Sequence, residues 1–364
     1  MEELKRQVMN YVEGIAPVDA DAVKRAQEES MSLLKIPMSL GRVEEVGFKL
    51  AGITGKTIND YDPKCIIIMS SDNGIVDKGV SSAPKSVTKT MTECFTKKVT
   101  GVGVISRVYG NDLFVYDIGN EQDIDDPLVI KKKLMRGTND FSEGPAMTYE
   151  TALRSIMVGI DAVKDAVDRG YKVIGTGEMG IGNTSSSTAV ICALAGRDPH
   201  DFVGKGTGMT DDAALMNKIS LIKQGIDINR PDPDDPIDVL AKVGGLDIGG
   251  LVGVYIGCAY YRIPVVIDGY ISSAAFYLAY RLNSLVKDYA IESHKTMEPG
   301  YSVVTEETGI DPMFDMDMRL GEGSGCPFTF FVIDCAQSMY RNMYTFEQGM
   351  CSTEYTDKLN DLRF

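Results

Sequence analysis

The sequence predicts an α/β protein, a parallel sheet with crossover helices plus a small helical domain drawn from both chain ends. Short β-branched runs at residues 65–70, 112–117, 171–175 and 263–268 alternate with longer helical patterns. Between two of these runs, Leu153, Ile156, Ile160, Val163 and Val167 recur at helical spacing, and Gly170 follows as a C-terminal cap. A length of 364 residues supplies about two domains.

Taken in order, residues 1–35 are polar and helical in pattern, and Pro37 punctuates their end. They are assigned with residues 329–364 to the small domain, which leaves 36–328 as the large catalytic α/β domain. Further helical patterns cover 271–286 and 330–364. Residues 119–147, 226–236 and 295–325 read as loops, of a length that in compact α/β proteins often carries function.

Composition narrows the function. Hydrophobic residues at 44% and charged residues at 24% are globular values, and no run approaches the roughly 20 apolar residues that span a bilayer. No membrane association is expected, and Met1 to Lys5 lacks the basic-then-apolar pattern of a secretory leader, so a cytoplasmic protein is expected. Seven scattered cysteines without a C-x-x-C pair predict reduced thiols, and with two histidines no metal site is expected. A net charge of −15 argues against nucleic acid as a partner. An anionic substrate must then be held by local backbone donors.

The densest motif is Gly175-Thr176-Gly177-Glu178-Met179-Gly180-Ile181-Gly182-Asn183-Thr184-Ser185, between a strand and a helix that Asn183 or Thr184 would cap. Strand, glycine turn and helix N-terminus together form an anion site, because unpaired N–H groups and the positive helix end face the ligand. The spacing of Gly175, Gly177 and Gly180 also matches G-x-G-x-x-G, so a dinucleotide-dependent oxidoreductase is a competing reading. Against it, Gly182 and Asn183 prolong the turn, and the region near Asp198 is turn chemistry where an acidic strand end is required. A second cluster, Gly204-Lys205-Gly206-Thr207-Gly208, precedes a helical stretch with Lys218; it lacks the G-K-[ST] ending of a P-loop, and alone it is more commonly a flexible loop. In Gly321-Glu322-Gly323 a carboxylate between glycines can approach a substrate ring closely and serve as a general base if burial raises its pKa. Alone, a solvated loop glutamate is the commoner reading.

In this order, these motifs resemble the nicotinate-nucleotide:dimethylbenzimidazole phosphoribosyltransferase family, which prepares the lower ligand of cobamides. The resemblance covers nearly the whole chain, including Pro37-Met38-Ser39-Leu40-Gly41-Arg42, Ser71-Asp72-Asn73-Gly74, Gly144-Pro145-Ala146-Met147 and Val266-Ile267-Asp268-Gly269. It implies a Rossmann-like large domain, a small helical domain and a dimer. It also implies transfer of the phosphoribosyl group of nicotinate mononucleotide to a ring nitrogen of an aromatic base, with inversion and no cofactor. By the resemblance, Glu322 falls on the general-base position and Glu178 on a second carboxylate; Ser81, Thr90 and Met179 fall in the base pocket. Gly180, Gly182, Asn183, Thr184, Gly204, Gly206 and Lys218 fall where the family holds the nucleotide. Two departures stand out: Asn73 replaces a common histidine, and Thr90 replaces a glutamine, which predicts an altered base preference. A related subgroup activates phenols as paired non-identical subunits, so a heterodimer with a paralogue is an alternative to the homodimer.

Overall fold

Residues 65–69, Cys-Ile-Ile-Ile-Met, are apolar without alternation, the pattern of a strand covered on both faces. In the computed structural model, which describes residues 1–204 and 211–353, they form β1 (Lys64–Ser71), buried throughout. Gly206 and its neighbours at 205–210, and residues 354–364, lie outside the described residues. β1 is joined by β2 (Asp112–Gly119), β3 (Ile130–Lys131), β4 (Val173–Met179), β5 (Val265–Ile267) and β6 (Ala290–Glu292). The sheet order is β3-β2-β1-β4-β5-β6, with every pairing parallel. Strand order reverses between β1 and β4, so the turns leaving their carboxyl ends diverge and open a crevice there.

Along the chain, α1 (Glu2–Glu13), α2 (Ala20–Ser32) and α3 (Arg42–Thr54) precede the sheet. α4 (Val87–Thr96) and α5 (Gly101–Tyr109) link β1 to β2, and α6 (Tyr149–Asp168) leads into β4. After β4 come α7 (Asn183–Ala195), α8 (Asp212–Asn229), α9 (Pro236–Val243) and α10 (Leu246–Tyr260). α11 (Tyr270–Leu282) and α12 (Val286–Tyr289) separate β5 from β6, and α13 (Tyr301–Thr308) and α14 (Cys326–Asn342) follow.

The pleat divides the interior. Cys65, Ile67 and Met69 enter one core with α6 and α10, whereas Ile66 and Ile68 enter a second with Phe330 and Ile333 of α14. α6 and α10 approach so closely that a Cβ on Gly159 would stand 1.9 Å from the Gly250 carbonyl oxygen. A third core joins both chain ends: Ala26 of α2, Phe48 and Ala51 of α3, and Met339 and Tyr340 of α14. Within residues 1–35, α2 joins this bundle while Val8 and Val12 of α1 lie on the first core.

Several expected loops are shorter than the sequence suggested. The 295–325 segment contains α13, whose eight residues are too few to show a period. α8 runs to Asn229, which shortens the 226–236 loop, and β3 interrupts 119–147. The helix expected over 271–286 divides into α11 and α12, and that expected over 330–364 begins at Cys326 and ends at Asn342. α10 is legible by no periodicity because residues 246–259 are buried on all sides.

Candidate active site

The site grows from the turns that follow β1 and β4. Gly182 holds a left-handed φ of 92°, and a Cβ there would meet Val76 Cγ2 at 2.4 Å. Gly180 is equally confined, since its Cβ would lie 2.5 Å from the Ser71 carbonyl oxygen and 2.8 Å from Asp247 Oδ2. Gly182, rather than Asn183 or Thr184, caps α7, and Asn183 is its first helical residue. The reason is that the Asn183 side chain is engaged elsewhere: its amide donates to Glu178 Oε2 and, at 2.9 Å, to Asp247 Oδ2. Asn73 braces the same corner, its buried Oδ1 accepting from Ser186 Oγ at 3.2 Å.

Two glutamates meet over this corner. Glu178, near the end of β4, accepts at Oε1 from the Glu322 N–H at 3.2 Å, and burial pushes its carboxyl up to about 7. Glu322 sits in a left-handed run, with φ of 83° at Gly321, 64° at Glu322 and 95° at Gly323. Asp268, after β5, holds that run by accepting from Gly323 N–H at 2.9 Å and Gly325 N–H at 2.7 Å. The Glu322 carboxylate reaches the N-terminus of α5, where Oε2 accepts from Val102 N–H at 3.0 Å. Burial raises its pKa, while donors at Val102, Thr100 and Gly101 oppose the rise.

A cavity of about 260 Å³ lies over both glutamates. One wall is apolar, formed by Ala83, Val87, Met91, Met179 and Ile181, with Ser81 beside it. Gly182, Asn183, Thr184, Tyr270, His294 and Thr296 also line it. Lys218 is buried behind Thr184, donating to its Oγ1 at 3.0 Å and to the Gly204 carbonyl at 3.2 Å. Burial lowers that ammonium to about 8. Thus Glu178, Glu322, Ser81, Met179, Gly180, Gly182, Asn183 and Thr184 line one cavity, with Gly204 and Lys218 at its back. Thr90 does not line it: it is exposed on α4, its hydroxyl donating to the Ser86 carbonyl, and Val87 and Met91 of that helix form the wall. Helical geometry gives the reason, since the cavity-facing stripe runs through 87 and 91 and leaves 90 on its solvent side.

Asp247, Asp268, His294 and the Thr100–Val102 turn were not singled out as site residues from sequence. An Asp closing a strand before Gly269 is the sequence signal for Asp268; Asp247 lies on α10, whose all-round burial leaves no periodicity to mark it. Ser293 Oγ–H donates to the Asp268 carbonyl at 2.8 Å, so the 2.9 Å contact between Ser293 Oγ and His294 Nδ1 is donated by the ring. Burial lowers the imidazole to about 4 and keeps it neutral, which leaves Nε2 as an acceptor. Among the described residues no helix is long and apolar enough to cross a membrane, and no group of three or more His, Cys, Asp or Glu could hold a metal ion.

A switch-point cleft with a glycine turn, a helix N-terminus and a buried lysine at one side, and carboxylates facing an apolar wall at the other, defines a nucleotide-handling α/β enzyme. A family model described as Phosphoribosyltransferase matches residues 15–350, and the chain belongs to this family. It is 47% identical over 350 residues to a Clostridium perfringens protein named nicotinate-nucleotide–dimethylbenzimidazole phosphoribosyltransferase, covering 96% of this chain and 97% of that one. A Geobacter sulfurreducens protein of the same name is 41% identical over 343 residues, 94% of this chain and 97% of its own. The crystal structure of the Thermus thermophilus enzyme of that name superposes with a TM-score of 0.86 at 29% identity, over 92% of this chain and 99% of that one. The chain is therefore a phosphoribosyltransferase. These matches lend no support to the dinucleotide oxidoreductase or the phenol-type subunit.

Proposed function

We propose that the chain transfers the phosphoribosyl group of nicotinate mononucleotide to a benzimidazole-type base, the activation of a cobamide lower ligand. The observation that carries this reading is the position of Glu322, a buried carboxylate held over the cavity beside an apolar wall. A ring nitrogen of the base attacks the ribosyl anomeric carbon, the bond from that carbon to the nicotinate nitrogen breaks, and Glu322 takes the azole N–H proton. The α7 turn at Gly180, Gly182 and Thr184, with Lys218 behind it, would carry the phosphate, while Ser81, Met179, Val87 and Met91 would enclose the base. Glu178 would orient Glu322 through its backbone N–H.

A homodimer is part of the proposal. In its favour, α5 exposes Val104 and Val108, and α14 exposes Phe331. Incubating the purified chain with nicotinate mononucleotide and a panel of benzimidazoles, purines and phenols, with products weighed by mass spectrometry, tests the reaction. Absence of a phosphoribosylated benzimidazole would overturn it.

A further inference from the structure

His294 is buried, yet it lines the catalytic cavity, and the transfer proposed above gives it no part. It stands just after β6, where the chain is pinned on both sides. Ser293 N–H donates to the Ile267 carbonyl at 3.0 Å, and Lys295 N–H donates to the Phe314 carbonyl at 2.9 Å. Met313 N–H donates in turn to the Ser293 carbonyl at 2.9 Å, so the imidazole is mounted on fixed backbone.

The ring is fixed as well. Nδ1–H donates to Ser293 Oγ, whose own proton goes to the Asp268 carbonyl, and this chain selects the tautomer with its lone pair on Nε2. Gly325 packs on the Nδ1 edge, where a Cβ would stand 2.4 Å from that nitrogen. Gly269 lies beside the other nitrogen and brings no side chain against it; a Cβ there would stand 3.5 Å from Nε2. Among the described residues Nε2 has no hydrogen-bond partner. A buried polar atom left unpaired is destabilising, so an oriented acceptor that opens on a cavity points to a donor in the ligand.

Its place in the cleft narrows the choice of donor. Gly325 comes three residues after Glu322, and Gly269 precedes Tyr270, whose Oη shares a 2.9 Å hydrogen bond with Thr188 Oγ1 of α7. The imidazole thus lies between the loop of the carboxylate proposed to meet the base and the helix whose turn is proposed to carry the phosphate. In a ribosyl phosphate that middle place belongs to the sugar. The chemistry of the nucleotide agrees. At neutral pH nicotinate mononucleotide carries a carboxylate, a largely dianionic phosphate and the ribose hydroxyls, so the hydroxyls are its main hydrogen-bond donors. The N–H of the incoming base is already taken by Glu322.

We propose that His294 Nε2 accepts a hydrogen bond from a ribose hydroxyl of the nucleotide and so makes the enzyme selective for ribosyl over deoxyribosyl donors. This rests on the transfer reaction proposed above. The test compares kcat/KM for nicotinate mononucleotide and for its 2′-deoxy and 3′-deoxy analogues, with dimethylbenzimidazole as acceptor, in parent, His294→Asn and His294→Gln. Asparagine keeps an amide N–H near the Nδ1 position and puts no atom at Nε2, whereas glutamine extends a carbonyl oxygen to Nε2. Selectivity against one analogue should fall about tenfold in His294→Asn and persist in His294→Gln, because only the first removes the acceptor. The analogue that shows the fall identifies the hydroxyl, and its intrinsic reactivity cancels between proteins. A purely structural histidine gives the opposite order, with the asparagine variant parent-like. The same contact can be read without mutation, since His200 is the chain's other histidine. In ¹⁵N-histidine-labelled parent, the Nε2 resonance of His294 should shift into the hydrogen-bonded range on addition of nicotinate mononucleotide and stay put with the identified deoxy analogue. No transfer by the parent overturns the reaction and this contact with it. Transfer by the parent with unchanged selectivity in His294→Asn, or an unmoved Nε2 resonance, overturns the contact alone.

Discussion

Glu178 and Glu322 stand in one cavity, joined by a 3.2 Å hydrogen bond, yet their surroundings differ. Glu178 ends a central strand among other acids: Asn183 divides its amide between Glu178 and Asp247, and both carboxyls are pushed by burial to about 7. Glu322 stands on a loop, its oxygen on the positive end of α5, where backbone and hydroxyl donors favour the charged form. One carboxyl is placed to hold a proton and the other to receive one. Environment, not residue type, separates their roles.

The largest effect tests the receiving side. Glu322→Gln should keep the fold and lower turnover by about 100-fold or more, because an amide cannot accept the base's proton. Rates from single-turnover assays, with circular dichroism as the folding control, decide it, and near-parent turnover would remove Glu322 from the reaction. Next in size, Gly182→Val should weaken nicotinate mononucleotide binding by about tenfold or more, since a β-branched residue at positive φ is strained by about 1–3 kcal/mol. Equal dissociation constants in calorimetry would show that the turn does not touch the nucleotide.

The proton-holding side is tested by pH. Asp247 has a folded pKa of about 7 against an ordinary 3.8, so the folded chain keeps a proton that the unfolded chain releases. Its contribution to stability is complete below the unfolded value and is lost as pH rises through about 7. Glu178 and Asp268, both raised to about 7, act in the same sense. Asp247→Asn should flatten the fall in Tm between about pH 5 and about pH 8, by roughly a degree or two. Parallel Tm profiles would show that Asp247 is not protonated in the fold. The smallest effect concerns the apolar wall. Thr90→Gln should leave acceptor ratios within about 0.5 kcal/mol of the parent, as for an exposed substitution, whereas Met91→Ala should change them. A shift in acceptor preference from Thr90→Gln would return that residue to the pocket.

The sequence by itself determined the central strands, since β1 is an apolar run and such runs bury on both faces whatever packs against them. It also determined the glycine turn after β4 and the glycines that flank Glu322, because backbone at positive φ selects glycine locally. Tertiary structure decided the rest. α10 shows no period because its whole surface is buried, and so Asp247 was invisible as a partner of Asn183. Asp268 acquires its role from a loop 55 residues later, and the α5 turn meets Glu322 across 220 residues. The resemblance put Thr90 in the base pocket, whereas in the fold it stands outside the cavity lining, since which face of α4 meets the cavity is set by packing on Ile181 and Ser70 through Thr88 and Thr92. Local backbone preference is written residue by residue, but a pKa or a pocket wall is a property of neighbours that only folding brings together.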